Sequence, residues 1–207
     1  KLRKIKDKNE VQVAGLPANA KISNLSWSPN DTKILFTNTA ANGVELWVID
    51  VASAQAKKLT EANLNANLGA PFSWFGDNET ILVKLLPSNR KPLLDSKKDL
   101  PAGPIISNAS GAKSQNRTYP DMKKNKNDEI NFENIITSEL YKITLSGNKT
   151  LFKSADMFAG QSLSPDGNYI MITTIQKPFS YIVPLNRFPM KSVVYDKSGR
   201  EVKIVNE

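Results

Sequence analysis

The residues best suited to chemistry in this chain fall one short of a nucleophile elbow. Gly160-Gln161-Ser162-Leu163-Ser164 places a serine correctly, but Ser164 stands where G-x-S-x-G needs its second glycine for a helix to pack against the turn. The chain contains no histidine, so no imidazole can take the serine's proton, and Ser162 reads as a strand residue. It also has no cysteine, which removes thiol nucleophiles, disulfides and thiolate metal sites. The carboxylate pairs Asp77 with Glu79 and Asp128 with Glu129 lack the alternate spacing and turn glycine of a calcium loop. Both pairs lie in polar stretches and read as turn residues. The expectation is therefore no catalytic residue, no metal and no cofactor. Asn24, Asn30, Asn78, Asn108, Asn116 and Asn148 match N-x-S/T, a short motif of little weight in an asparagine-rich chain.

The chain has 207 residues, 40% hydrophobic and 23% charged, with a formal net charge of +8. That composition suits a globular protein with a sizeable core. No stretch is long and apolar enough to form a membrane-spanning helix. The basic residues are dispersed, and the densest runs, Lys1 to Lys8 and Lys123, Lys124 and Lys126, carry no interleaved aromatics for stacking bases. They read as solvated surface, and neither nucleic acid nor a membrane is expected as a partner.

What must position any functional residue is a repeat. Leu25-Ser26-Trp27-Ser28-Pro29-Asn30-Asp31, Phe72-Ser73-Trp74-Phe75-Gly76-Asp77-Asn78 and Gln161-Ser162-Leu163-Ser164-Pro165-Asp166-Gly167 each read as strand and tight turn, followed by a second strand. Trp27 and Trp74 are 47 residues apart, within the period of propeller blades. Glu45-Leu46-Trp47-Val48-Ile49 matches Glu139-Leu140-Tyr141-Lys142-Ile143 at an offset of 94, twice that period. The fold class expected is all-β, a partial β-propeller of about three four-stranded antiparallel blades plus the outer strands of a preceding blade. The blades fall at 18–62, at 63–155 with an insertion at about 87–137, and at 156–207 with a second insertion at about 176–189; residues 1–17 end a preceding blade. Trp27, Trp47 and Trp74 are read as core, because apolar residues at equivalent repeat positions normally pack. Within the large insertion, residues 119–136 suit a short helix capped by Asn127 or Asp128. Exposed blade edges would either continue into a longer chain or pair edge to edge between copies.

The string from Ile22 to Phe36 resembles the repeat shared by TolB-like proteins and the N-terminal domains of the prolyl oligopeptidase family of serine peptidases. Further stretches sharpen the match: Gly15-Leu16-Pro17, Leu100-Pro101-Ala102-Gly103-Pro104, Arg117-Thr118-Tyr119-Pro120-Asp121, and Lys177-Pro178-Phe179-Ser180-Tyr181 with Arg187-Phe188-Pro189. Together they resemble the glutamyl endopeptidase branch of that family. The resemblance implies a non-catalytic propeller that admits and positions peptide substrates for a C-terminal α/β-hydrolase domain carrying the Ser, Asp and His. It implies cleavage after glutamate, for which Arg187 and Lys177 are the candidate substrate-binding cations, since a carboxylate leaving water needs charge-assisted partners. Exported bacterial members make a periplasmic or secreted location the expectation. The alternative is a non-enzymatic TolB-like propeller that binds a protein partner.

Overall fold

The computed structural model describes residues 1–95, 111, 119 and 122–207. Strands β1 (Leu2–Arg3) and β2 (Glu10–Val11) form a two-stranded ribbon. Three four-stranded antiparallel sheets follow, each in simple meander order. The first holds β3 (Ile22–Trp27), β4 (Lys33–Ala40), β5 (Gly43–Asp50) and β6 (Gln55–Lys58). The second holds β7 (Phe72–Trp74), β8 (Thr80–Leu85), β9 (Ser138–Thr144) and β10 (Lys149–Asp156). In the third are β11 (Phe158–Leu163), β12 (Tyr169–Ile175), β13 (Met190–Asp196) and β14 (Glu201–Asn206). This is the partial all-β propeller expected from the repeat.

The repeats superpose in register as well as in sequence. Trp27 faces Ile34, Trp74 faces Ile81 and Leu163 faces Ile170 across the first hairpin of each sheet. Each hairpin is closed by a short polar side chain that bonds its own turn. Ser28 Oγ accepts the Lys33 N–H at 3.0 Å, and Ser164 Oγ accepts the Tyr169 N–H at 2.9 Å. Where the second sheet has Phe75 at that position, Asp77 does the work, accepting the Thr80 N–H at 2.8 Å and the Thr80 hydroxyl at 2.7 Å. Hydrogen bonds to its ionised form hold Asp166 well down, at about 2, with the Ser164 hydroxyl the chief cause. Asp77 and Glu79 thus sit in a hairpin turn.

The sheets stack through their side chains, and the second strand of each sheet shows how. Period-two alternation sends Ile81, Val83 and Leu85 of β8 into one core with Leu35, Leu46 and Val48 of the first sheet. Leu82 of the same strand packs the opposite way, with Phe158, Ile170 and Ile172 of the third sheet. A strand buried on both faces reads as a continuous apolar run, as Ile81-Leu82-Val83 does. Val13 and the partly buried Leu2 and Leu16 pack the N-terminal ribbon region against Ile34, Phe36 and Ile49.

The three tryptophans are not equivalent. Trp74 is buried between the first two sheets and donates from Nε1 to the Ser26 carbonyl at 3.3 Å. Trp47 is half-buried, stacked on Phe36 with its Nε1 on Glu45 at 2.8 Å. Trp27, expected in the core, is 52% exposed. The ribbon on its side has two strands of two residues each, too small to cover a blade face. In urea denaturation, Trp74→Ala is expected to cost about 3–5 kcal/mol and Trp27→Ala less than about 1 kcal/mol.

Candidate functional site

Meander order sorts the connections. The segments entering β7 and β11, and those between the second and third strands, emerge at one end of the blades; the polar hairpin turns lie at the other. Both excursions from the repeat, residues 86–137 and 176–189, are therefore on the same end. The first contains α1 (Lys126–Ile136), capped by Asn125, whose side-chain oxygen accepts the Asp128 N–H at 2.9 Å. The cap lies two residues before Asn127 and three before Asp128. Asp128 instead occupies the third helical position, where its carboxylate accepts the Lys124 N–H at 2.7 Å. At the other helix end the buried Asn65 donates to the carbonyls of Ile135 and Thr137 at 2.9 and 3.1 Å, satisfying acceptors that the helix cannot.

The two excursions are joined by aromatic rings. Phe132 of α1 meets Phe179 and Phe188 edge-on, with centroids 5.1 and 5.9 Å away, and the latter two stack at 5.9 Å. Lys123 Nζ lies 3.9, 4.7 and 5.1 Å from the centroids of Phe188, Phe132 and Phe179, a cation enclosed by three π-faces. Burial lowers its pKa, with Glu129 opposing. Two polar ties flank the rings: Tyr181 donates to Glu129 at 2.7 Å, and Lys177 pairs with Glu133 at 2.7 Å. The Lys177-Pro178 peptide between these ties is cis. Glu129 is thus a strut between the excursions, with its pKa lowered chiefly by Lys126 and Tyr181.

Beside the rings runs an open apolar groove of about 750 Å³. Leu68 and Gly69 form one wall, Ala159 and Gly160 of β11 line it, and Pro184, Leu185 and Asn186 overhang it. Leu68, Ile175, Leu185 and Met190 belong both to this lining and to the core that holds Phe179 and Phe188. The groove is thus one surface of the core whose interior is the ring cluster.

Behind the groove wall is Lys84, only 2% exposed. Alternation along β8 places it on the Leu82 side, toward the third sheet. Its ammonium donates to the Leu68 carbonyl. Gly69, at φ +59°, separates it from the groove; a Cβ there would lie 3.8 Å from Nζ and 2.5 Å from the Ala159 oxygen. Burial lowers the Lys84 pKa to about 8.

Of the two sequence-predicted cations, Lys177 has its charge committed to Glu133 and Arg187 is exposed with no side-chain partner among the described residues. Arg187 ends the 3-10 turn Leu185–Arg187, next to Asn186 on the groove rim; neither cation lines the groove. Ser162 is an exposed residue of β11, opposite Met171. The motif stretches at 100–104, 117–118 and 120–121, with Asn108 and Asn116, lie outside the described residues. Sequence reasoning passed over Lys84. The available signal was a lysine inside the otherwise apolar strand Ile81-Leu82-Val83-Lys84-Leu85, where a charge is costly unless used.

Over 204 residues the chain is 31% identical to a probable chloroplastic glutamyl endopeptidase of Oryza sativa subsp. japonica. It is 30% identical over 208 residues to its counterpart in Arabidopsis thaliana. By sequence the chain is similar to proteins named as probable glutamyl endopeptidases. The matches cover 94% of this chain, both excursions included, and the chain spans 21% of each relative's length. No family model matches. Among solved structures, the acylaminoacyl peptidase of Pyrococcus horikoshii aligns over 90% of this chain and 25% of its own, with a TM-score of 0.51 at 17% identity. A structure from a study of two prolyl endopeptidases aligns over 91% and 22%, with a TM-score of 0.53 at 14% identity. At such identities these two speak for the fold. The resemblance to the glutamyl endopeptidase branch, read from the motifs, agrees with the sequence relatives.

Truncating Phe132 to alanine is expected to cost about 2–3 kcal/mol in urea denaturation by opening the ring cluster. For Lys84, the unfolded chain holds the proton that the folded chain has lost between pH 8 and 10.5. Stability therefore rises with pH across that window. Lys84→Met should stabilise the chain by up to roughly 3 kcal/mol at pH 7, and the gain should shrink toward pH 10.5. An unchanged urea midpoint at pH 7 would contradict this.

Proposed function

We propose that this chain is the non-catalytic propeller portion of a serine peptidase, where it admits peptides and positions them for an α/β-hydrolase domain of the same parent protein. The observation that carries the reading is the sequence match to glutamyl endopeptidases across both excursions, which a generic propeller would not share. The geometry supports it: the excursions meet through their rings, and Pro184, Leu185 and Asn186 of the second line an apolar groove at one end of the blades. Such a groove takes the side chains of an extended peptide, while its rim sets orientation and charge preference.

The finer reading is cleavage after glutamate. An acidic side chain requires a cation free to meet it; Arg187 at the rim has no side-chain partner among the described residues, whereas Lys177 must first part from Glu133. A planar guanidinium presents two parallel donors to a carboxylate, which favours Arg187 further.

The parent protein should cleave peptides with glutamate before the scissile bond at least about tenfold faster, in kcat/KM, than glutamine isosteres, as expected of a charge-reading site. Arg187→Gln should lower that ratio mainly through KM. Equal cleavage of the two peptides would remove the glutamyl assignment, and absence of any peptidase activity in the parent would remove the larger one.

A further inference from the structure

The ammonium of Lys84 is an unusual thing to find inside a blade interface. A methionine or leucine would pack there without the cost of burying a charge, so a cation in this place is the mark of a site. Leu68 O is the only acceptor Nζ has among the described residues, which leaves two of its three N–H groups uncommitted.

Among the described residues, no carboxylate faces it. The segment 63–71, strand β7 and strand β11 carry no ionisable residue, and β8 has none besides Lys84. On the adjacent β9, Glu139 lies opposite Leu85 and accepts from the Tyr141 hydroxyl. Lys142 on the same strand lies opposite Leu82, over the rings of Phe75 and Phe152. Lys123 is enclosed by its three phenylalanines and does not line the groove. Burial alone accounts for the lowered pKa of Lys84.

The wall between this charge and the groove is a single glycine. Gly69 is held against Ala159 so closely that a side chain there would collide with backbone, which keeps the wall one residue thin. The loop bearing it is tied to the lysine's own backbone: Lys84 N–H donates to Pro71 O at 2.9 Å and Asn65 N–H to Lys84 O at 2.8 Å. The cation is thus fixed relative to the groove, and the neutral, apolar lining carries no charge that offsets it.

We infer that the groove beneath Pro184, Leu185 and Asn186 is a subsite for an extended peptide, and that Lys84 selects an acidic side chain laid against Gly69. The inference rests on the proposed function in taking a peptide as ligand, but it does not require catalysis by this chain. Charge complementarity identifies the occupant: a buried cation without a carboxylate behind the wall, an unpaired Arg187 beside the rim, and apolar walls for the flanking residues. Lys84 acts here as a specificity-determining residue. Arg187 would meet the same ligand from the solvent side.

The test is binding of two fluorescent hexapeptides to the 207-residue chain, alike except for one central glutamate or glutamine, followed by anisotropy. The glutamate peptide should bind roughly tenfold more tightly at pH 7, the order expected of one fixed charge in a site from which the bound peptide displaces water. That preference should fade as pH rises above about 8, where Lys84 gives up its proton, while the glutamine peptide stays level. Lys84→Met, expected to fold more stably than the native chain, should remove the pH dependence and leave only the smaller, pH-independent preference that Arg187 supplies. A preference undiminished by Lys84→Met, a flat profile from pH 7 to 9.5 in the native chain, or no binding of either peptide would overturn the inference. Peptidase activity is measured separately in the parent protein, so loss of the peptidase reading and loss of this one give different results.

Discussion

Three phenylalanine rings closing around one lysine hold together the part of this protein that departs from its repeat. Neither α1 nor residues 176–189 could hold its shape alone: α1 buries only Ile136, and residues 176–189 have just the short 3-10 turn as regular structure. Phe132, Phe179 and Phe188 supply the shared interior, and Lys123 fills the space between their faces. Because the groove lining belongs to the same core, the shape of the groove depends on those rings meeting. Tyr181 with Glu129 and Lys177 with Glu133 add direction to a contact that hydrophobic burial would leave loosely oriented.

Beneath this layer the blades are conventional in their physics. Their stacking buries the second strand of the middle sheet from both sides, while the third sheet shows the one-sided version of the pattern. There Ile170 and Ile172 are buried, but Tyr169 and Met171, which alternate with them, are exposed. The polar hairpin turns repeat because each hairpin must satisfy its own backbone donors locally, as Ser28, Asp77 and Ser164 do. Turn carboxylates such as Asp166 are stabilised as anions by close donors, whereas burial lowers the pKa values of Lys84, Lys123 and Lys142.

The blades were legible in the chain because hairpin chemistry and period-two burial are local rules. The Ser-Pro-Asn-Asp and Ser-Pro-Asp-Gly turns, the Trp27-to-Trp74 spacing and the doubled offset of the outer strands identify the strands that the structure contains. The contacts that make the site are between segments far apart in sequence, and local rules are silent there. Nothing in Phe132 alone says that it meets Phe188, and nothing in Asn65 says that it caps a helix seventy residues on. Trp27 was misjudged for the same reason: equivalence within the repeat does not guarantee an equivalent neighbour. The helix cap fell at Asn125 because Asp128 is better used at the third position, where it reaches back to Lys124.

That the two excursions meet through the ring cluster behind the groove is the claim on which the functional reading turns. A double-mutant cycle between Phe132→Leu and Phe179→Leu, read by urea denaturation, measures it directly. Rings in contact across the two excursions predict a coupling free energy of about 1 kcal/mol or more, in the range of aromatic pairs and contacting core residues. Additive effects, with coupling indistinguishable from zero, would contradict it.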